Sequence, residues 1–237
     1  MKALNLSING KVVEHILPSF KKMDSFLKEW NLGVKDQRGL FLRISNILKE
    51  TKGSAEASFK FLIKYLGTFS DEDVSAMNEA NEEALHAIIA FVKAPDMFQC
   101  GLLDMPVIVQ LEKGAKHALA YQLLKIFLTG RLDDYMNFHE ANSELLKTYG
   151  LLHEDCVEKM RLLPLVDFGM TETGQIPYSM IKDTLNIDDI EVESWVVKAI
   201  STKLLICKID KMNQLITVRC AFCGGRPLLS LPMLWLY

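Results

Sequence analysis

Apolar residues recur at spacings of three and four through most of the first 150 positions, which is the helical period. After Pro18, the series Phe20, Met23, Leu27 and Trp30 predicts a helix that stops at Asn31-Leu32-Gly33. Leu40, Phe41, Ile44, Ile47 and Leu48 predict a second from about Lys35 to Glu50, and Phe59, Leu62, Tyr65 and Leu66 a third after Gly53. Ser70, followed by Asp71, Glu72 and Asp73, reads as the N-cap of a fourth, with its stripe on Met77, Ala80, Ala84, Leu85, Ile88 and Val92. A short element over Leu102 to Leu111 and helices over 115–129 and 133–147 complete the run. None of these can bury its stripe alone, so the pattern predicts an irregular stack of antiparallel helix pairs. No fixed sequence period emerges, hence the irregularity.

The pattern changes near Thr148-Tyr149-Gly150. Leu152 to about Leu165 reads as a helix, Pro177 opens a short one ending near Leu185, and Glu191 to Ser201 forms a third. Leu204 to Ile209 and Gln214 to Arg219 are strand-like, separated by the polar turn Asp210 to Asn213. Three helices and a hairpin in about 70 residues describe a winged-helix module. The expected organisation is a helical portion over 1–150, a winged helix over 151–219 and an apolar tail over 220–237.

Composition narrows the class. The chain has 237 residues, 49% of them hydrophobic, enough to fill a core. Twenty-seven Lys and Arg against 30 Asp and Glu remove the strongly basic signature of many nucleic-acid binders. Five widely spaced cysteines fit a reducing compartment better than a disulfide framework. No run of 18 apolar residues occurs, so the reading is a soluble, intracellular chain without a membrane span.

No catalytic constellation emerges, and no cofactor or metal is implied. The histidines at 15, 86, 117, 139 and 153 form no ligand pair by spacing. Asp188, Asp189, Glu191 and Glu193 sit where a helix start favours negative charge, which accounts for them without chemistry. Cys220-x-x-Cys223 lacks the second pair of a zinc site and the strand-to-helix setting of a redox pair. Within 175–219, Lys182, Lys198, Lys203, Lys208, Lys211 and Arg219 are matched by Asp183, Asp188, Asp189, Glu191, Glu193 and Asp210. A recognition helix that begins with acids would repel DNA phosphates, so DNA is excluded and protein binding favoured. Leu204, Ile206, Ile209 and Ile216 are the candidate wing positions for a partner. Lys198, Lys203, Lys208 and Lys211 are the candidates for a modest RNA-binding edge.

A helical stack feeding a non-basic winged helix resembles the PCI domain, shared by the proteasome lid, the COP9 signalosome and eukaryotic translation initiation factor 3. Phe26 to Leu32, Leu151-Leu152-His153-Glu154, Lys159 to Leu163 and Asp189 to Asn213 are similar, in the same order, to a PCI subunit of the initiation factor. Ile176-Pro177-Tyr178 and Trp195-Val196-Val197 look closest to its plant form. The resemblance implies a non-catalytic, cytoplasmic scaffold. Its partners would be the other PCI and non-PCI subunits of initiation factor 3 and, through them, the small ribosomal subunit and mRNA. A lid or signalosome subunit, or a winged-helix RNA-binding module, is the alternative.

The same resemblance implies that this chain starts partway into the helical stack and departs from the family after the wing. There 12 of the 18 residues from Cys220 to Tyr237 are apolar, and Pro227 and Pro232 oppose a continuous helix at about 3 kcal/mol each. Left exposed, such a segment is a sticky patch. The whole chain is therefore expected to self-associate more than a version ending at Arg219, by size-exclusion chromatography with reductant present. Identical monomeric elution and solubility would show the tail to be harmless.

Overall fold

A computed structural model describes residues 32–221 apart from 52, 71, 73, 99, 115–116, 166–173 and 203, with side chains up to Val218. The helix predicted after Pro18, Lys203 and the tail beyond Ala221 lie outside the described residues. The chain forms two compact units, one of residues 1–90 with 101–121 and the other of 91–100 with 122–237.

In the first unit, α1 (Val34–Glu50) and α2 (Ala55–Gly67) pack through the predicted stripes. Leu40, Phe41, Ile44, Ile47 and Leu48 face inward from α1, and Phe59, Phe61, Leu62, Tyr65 and Leu66 from α2. Small residues mark their closest approach. The Ser45 hydroxyl donates to the Ser58 carbonyl at 3.0 Å, and the Ser58 hydroxyl returns the bond to the Ser45 carbonyl at 2.8 Å. Two buried hydroxyls are thereby satisfied inside an apolar seam. Arg38 closes the far end of α2: it donates to the Thr68 carbonyl at 2.8 Å and stacks 3.8 Å from the Phe69 ring centre while pairing with Glu72.

The fourth predicted helix is two. α3 (Val74–Asn78) ends in a tight turn, with Ala80 N–H bonded to Met77 O at 3.0 Å, before α4 (Asn81–Lys93) begins. Asn78 and Asn81 hold the break through their side chains at 3.3 Å, a local bond that competes with helix continuation. Ser70 is not the cap: its hydroxyl donates back to the Gly67 carbonyl at 2.8 Å, finishing α2. The short element predicted over 102–111 is a 3-10 turn (Leu102–Asp104), α5 (Pro106–Val109) and a second 3-10 turn (Gln110–Lys113).

The second unit holds the end of α4, most of α6 (Ala118–Thr129), α7 (Leu132–Thr148) and α8 (His153–Leu162). Beyond these come β1 (Gln175–Pro177), α9 (Tyr178–Leu185), α10 (Val192–Ser201), β2 (Leu205–Asp210) and β3 (Leu215–Ala221). The helices fall where the periodicity placed them; β1 was not legible. Its three residues pair antiparallel with β3, Ile176 opposite Ile216, giving the order β1-β3-β2. β3 also runs two residues past the boundary expected at 219, with Ala221 opposite Leu205, so a truncation that spares the sheet must keep Ala221.

α7 ends in a Schellman motif: Leu151 N–H bonds Leu146 O and Gly150 N–H bonds Lys147 O, both at 2.9 Å. Leu146 and Leu151 are both buried, and Gly150 supplies the left-handed conformation at φ 62°. The turn directs the chain from α7 into α8, so the expected boundary at 150/151 lies within this unit. Gly150→Ala is expected to cost about 1 kcal/mol in urea denaturation, since a Cβ at this φ is strained.

Candidate interaction surface

The winged module is organised around one core. Leu162 and Leu165, then Ile176, Ile181 and Leu185, then Val192, Val196 and Ala199 meet Leu204, Leu205 and Ile216 of the hairpin. α10 follows from this packing: Val192, Val196 and Ala199 turn inward at helical spacing, which leaves Val197 (54% exposed) and Ile200 on the outer side. Ile190, in the 3-10 turn Asp189–Glu191 ahead of α10, is 93% exposed. On β2 the pleat turns Leu205, Cys207 and Ile209 toward the core and Ile206 and Lys208 away from it.

The four wing positions therefore separate. Leu204 and Ile216 are almost fully buried, so they hold the hairpin to the helices and have no surface to offer a partner. Ile209 is half-buried against the same core. Ile206, at 50% exposure on the edge strand β2, is the one of the four that faces outward.

The lysines separate as well. Lys198 is engaged by Glu158 at 2.6 Å and lies 4.9 Å from the Trp195 ring centre; Lys211 pairs with Glu193 at 3.2 Å. Lys208 is exposed beside Asp210, whose carboxyl is held below its usual range by bonds from Asn213, with Lys208 adding to the effect. Lys182 pairs with Asp189 at 2.8 Å. Asp188 and Glu191 form a capping box at the start of the 3-10 turn, the structural role their position suggested. Charges here are matched in pairs, which leaves little net field for a polyanion.

Two features of the second unit escaped the sequence. His139 and His153 do form a pair: their ring centres are 3.9 Å apart, brought together where α7 meets α8 although 14 positions separate them. Spacing could not show this, because the Gly150 turn folds one helix onto the next. Among the described residues no group of three or more His, Cys, Asp or Glu is arranged to hold a metal ion, and no helix is long and apolar enough to cross a membrane.

The other is Lys159, only 4% exposed, on the inward face of α8 with Cys156 and Met160. Its ammonium donates to the carbonyl oxygens of Phe91 and of Ala94 (2.7 Å), with Val92 O at 3.5 Å, at the C-terminal end of α4. The rings of Phe91, Phe98 and Phe127 surround it at 4.3, 6.0 and 5.8 Å. A cation suits the negative end of a helix and the faces of aromatic rings. Its position in the apolar stripe of α8 was the available signal.

A three-helix module with a three-stranded wing, a neutral surface and no catalytic cluster among the described residues defines a class: residues 132–219 match the PCI domain. Over most of its length the chain is also similar to subunit M of eukaryotic translation initiation factor 3 from several eukaryotes. It is 36% identical to that subunit from Dictyostelium discoideum over 218 residues, covering 91% of this chain and 53% of the relative. Against the subunit from Phaeosphaeria nodorum identity is 31%, over 85% of this chain and 45% of the relative. Against Homo sapiens it is 28%, over 87% and 53%. The chain thus spans about half the length of the curated relatives it matches.

Burial drives the Lys159 pKa down to about 7 from the ordinary 10.5, against the opposing pull of Cys100, Cys156 and Asp96. Between those values the unfolded chain binds the proton and the folded chain does not. This group's contribution is therefore complete above 10.5 and is lost as pH falls through about 7. Lys159→Met is expected to cost about 2 kcal/mol at pH 9, where an amine donor is withdrawn from the α4 carbonyls, and less at pH 6. Urea denaturation at the two pH values checks both.

Proposed function

We propose that this chain acts as a non-catalytic scaffold subunit of translation initiation factor 3 in the cytoplasm, supporting translation initiation through contacts with other subunits of that factor. The observation that carries the reading is the homology to subunit M over 85% or more of this chain in relatives from an amoeba, a fungus and an animal. The winged helix supports it physically. β2 lies at the edge of the sheet among the described residues, and an edge strand is a surface that a partner strand can extend. Ile206 beside that edge, and Val197 and Ile200 on α10, offer apolar anchors without a cluster of like charge. Ribosomal subunit and mRNA then enter indirectly, through the assembled factor.

Affinity purification of the tagged chain from cells is expected to recover initiation-factor subunits. Recovery of proteasome-lid or signalosome subunits in their place would overturn the pathway while leaving the fold intact. Ile206→Lys is expected to lower that recovery about tenfold, the effect of losing about 1.4 kcal/mol at an anchor, while changing the stability of the isolated chain by no more than about 0.5 kcal/mol. Undiminished recovery would remove the β2 edge from the interface.

A further inference from the structure

We propose that the adjoining His139 and His153 rings are an acid-sensitive latch between α7 and α8, holding the last helix before the winged module against the first helix of that module while the two imidazoles are not both charged. The geometry is that of a closed cluster. Tyr135, fully buried on α7, stacks on His153 with ring centres 5.7 Å apart, and its hydroxyl lies 3.2 Å from His153 Nδ1. His139, one helical turn further along α7, lies against the other two rings, 3.9 Å from His153 and 6.2 Å from Tyr135. α6 closes the cluster with the Phe127 ring, edge-on to Tyr135 at 5.7 Å.

The ionisable groups around the pair are Tyr135, Glu140 and Lys147 on α7 and Glu154, Asp155 and Cys156 in the first turn of α8. Burial pushes the Tyr135 hydroxyl and the Cys156 thiol well up, so both stay neutral and linked by a hydrogen bond through the physiological range. The Tyr135 hydroxyl both donates and accepts, so it can reverse its bond when His153 Nδ1 takes a proton. That accommodates a single charge. A charge on each ring would bring two positive charges together across a 3.9 Å ring contact, and Glu140 favours the charge on His139. His153 is also the first residue of α8, where the helix end disfavours positive charge.

The sign follows from His139. Burial, then His153, holds its pKa below the ordinary 6.5, with Lys147 adding to and Glu140 opposing the shift. Just below 6.5 the unfolded chain binds more protons than the folded one, so this contribution is complete above 6.5 and lost as pH falls through the folded value. This window is separate from that of Lys159, which lies above pH 7.

The test is hydrogen exchange of the α7 and α8 backbone amides in the full chain at pH 7.0 and 5.5, corrected for the intrinsic pH dependence, for the wild type and for His139→Phe, which keeps a ring in the cluster without a charge. In the wild type the opening equilibrium of this seam is expected to rise severalfold more on acidification than in the variant, because the folded His139 holds its proton less tightly than the unfolded one. Equal changes in the two proteins would overturn the proposal. If the variant does not fold, the imidazole resonances of the wild type decide instead. Titration of His139 below 6.5 supports the latch; titration of His139 at the ordinary value overturns it.

Discussion

One buried lysine amine holds the geometry where the winged module begins. The carbonyls of Phe91, Val92 and Ala94 lie at the end of a helix, where no further turn of that helix satisfies them. Lys159 reaches them from α8 and satisfies them together, so the start of the module is tied to the end of α4. The rings of Phe91, Phe98 and Phe127 surround the amino group, and in that apolar setting each bond is stronger and costs more to lose. The balance is narrow: the burial that strengthens the bonds also weakens the hold on the proton.

Above that tie the seam between α7 and α8 is aromatic and polar at once. Phe127 and Tyr135 meet edge to face, Tyr135 and His153 stack, His139 tilts against His153, and the Tyr135 hydroxyl lies within bonding distance of His153. Gly150 makes the seam possible, because the left-handed residue returns the chain within a few positions. Substituting any one ring therefore disturbs packing and hydrogen bonding together. The apolar core below, from Leu162 to Ile216, behaves differently: it depends on fitted volume alone.

The outer surface of the module follows from its inner one. α10 must bury Val192, Val196 and Ala199, so Val197 and Ile200 emerge on the other side. β2 must bury Leu205, so Ile206 emerges. These exposed apolar positions are set among ion pairs that each cancel locally, as between Lys198 and Glu158 or Lys211 and Glu193. A surface of that kind suits another folded protein better than a uniformly charged polymer, because it offers apolar area without an extended field.

The class of the protein was legible in the pattern of its residues. Helical period through residue 148, three helices and an alternating hairpin are local properties, and local properties are written in order along a chain. What depended on distance was not legible. β1 is only three residues long and becomes a strand through β3, 40 positions later; its own composition is too short to declare it. The break at Asn78 to Asn81 came from side-chain bonds that override an unbroken apolar stripe. Leu204 and Ile206 look alike in sequence, yet the hairpin's placement on the helices buries one and exposes the other. Lys159 was only a charged residue in an apolar stripe until α4 ended beside it, and His139 and His153 were strangers until the Gly150 turn brought them together. Sequence determined the elements because hydrophobic period acts over a few residues; tertiary structure decided the pairs, because burial and partnership are settled only when distant segments meet.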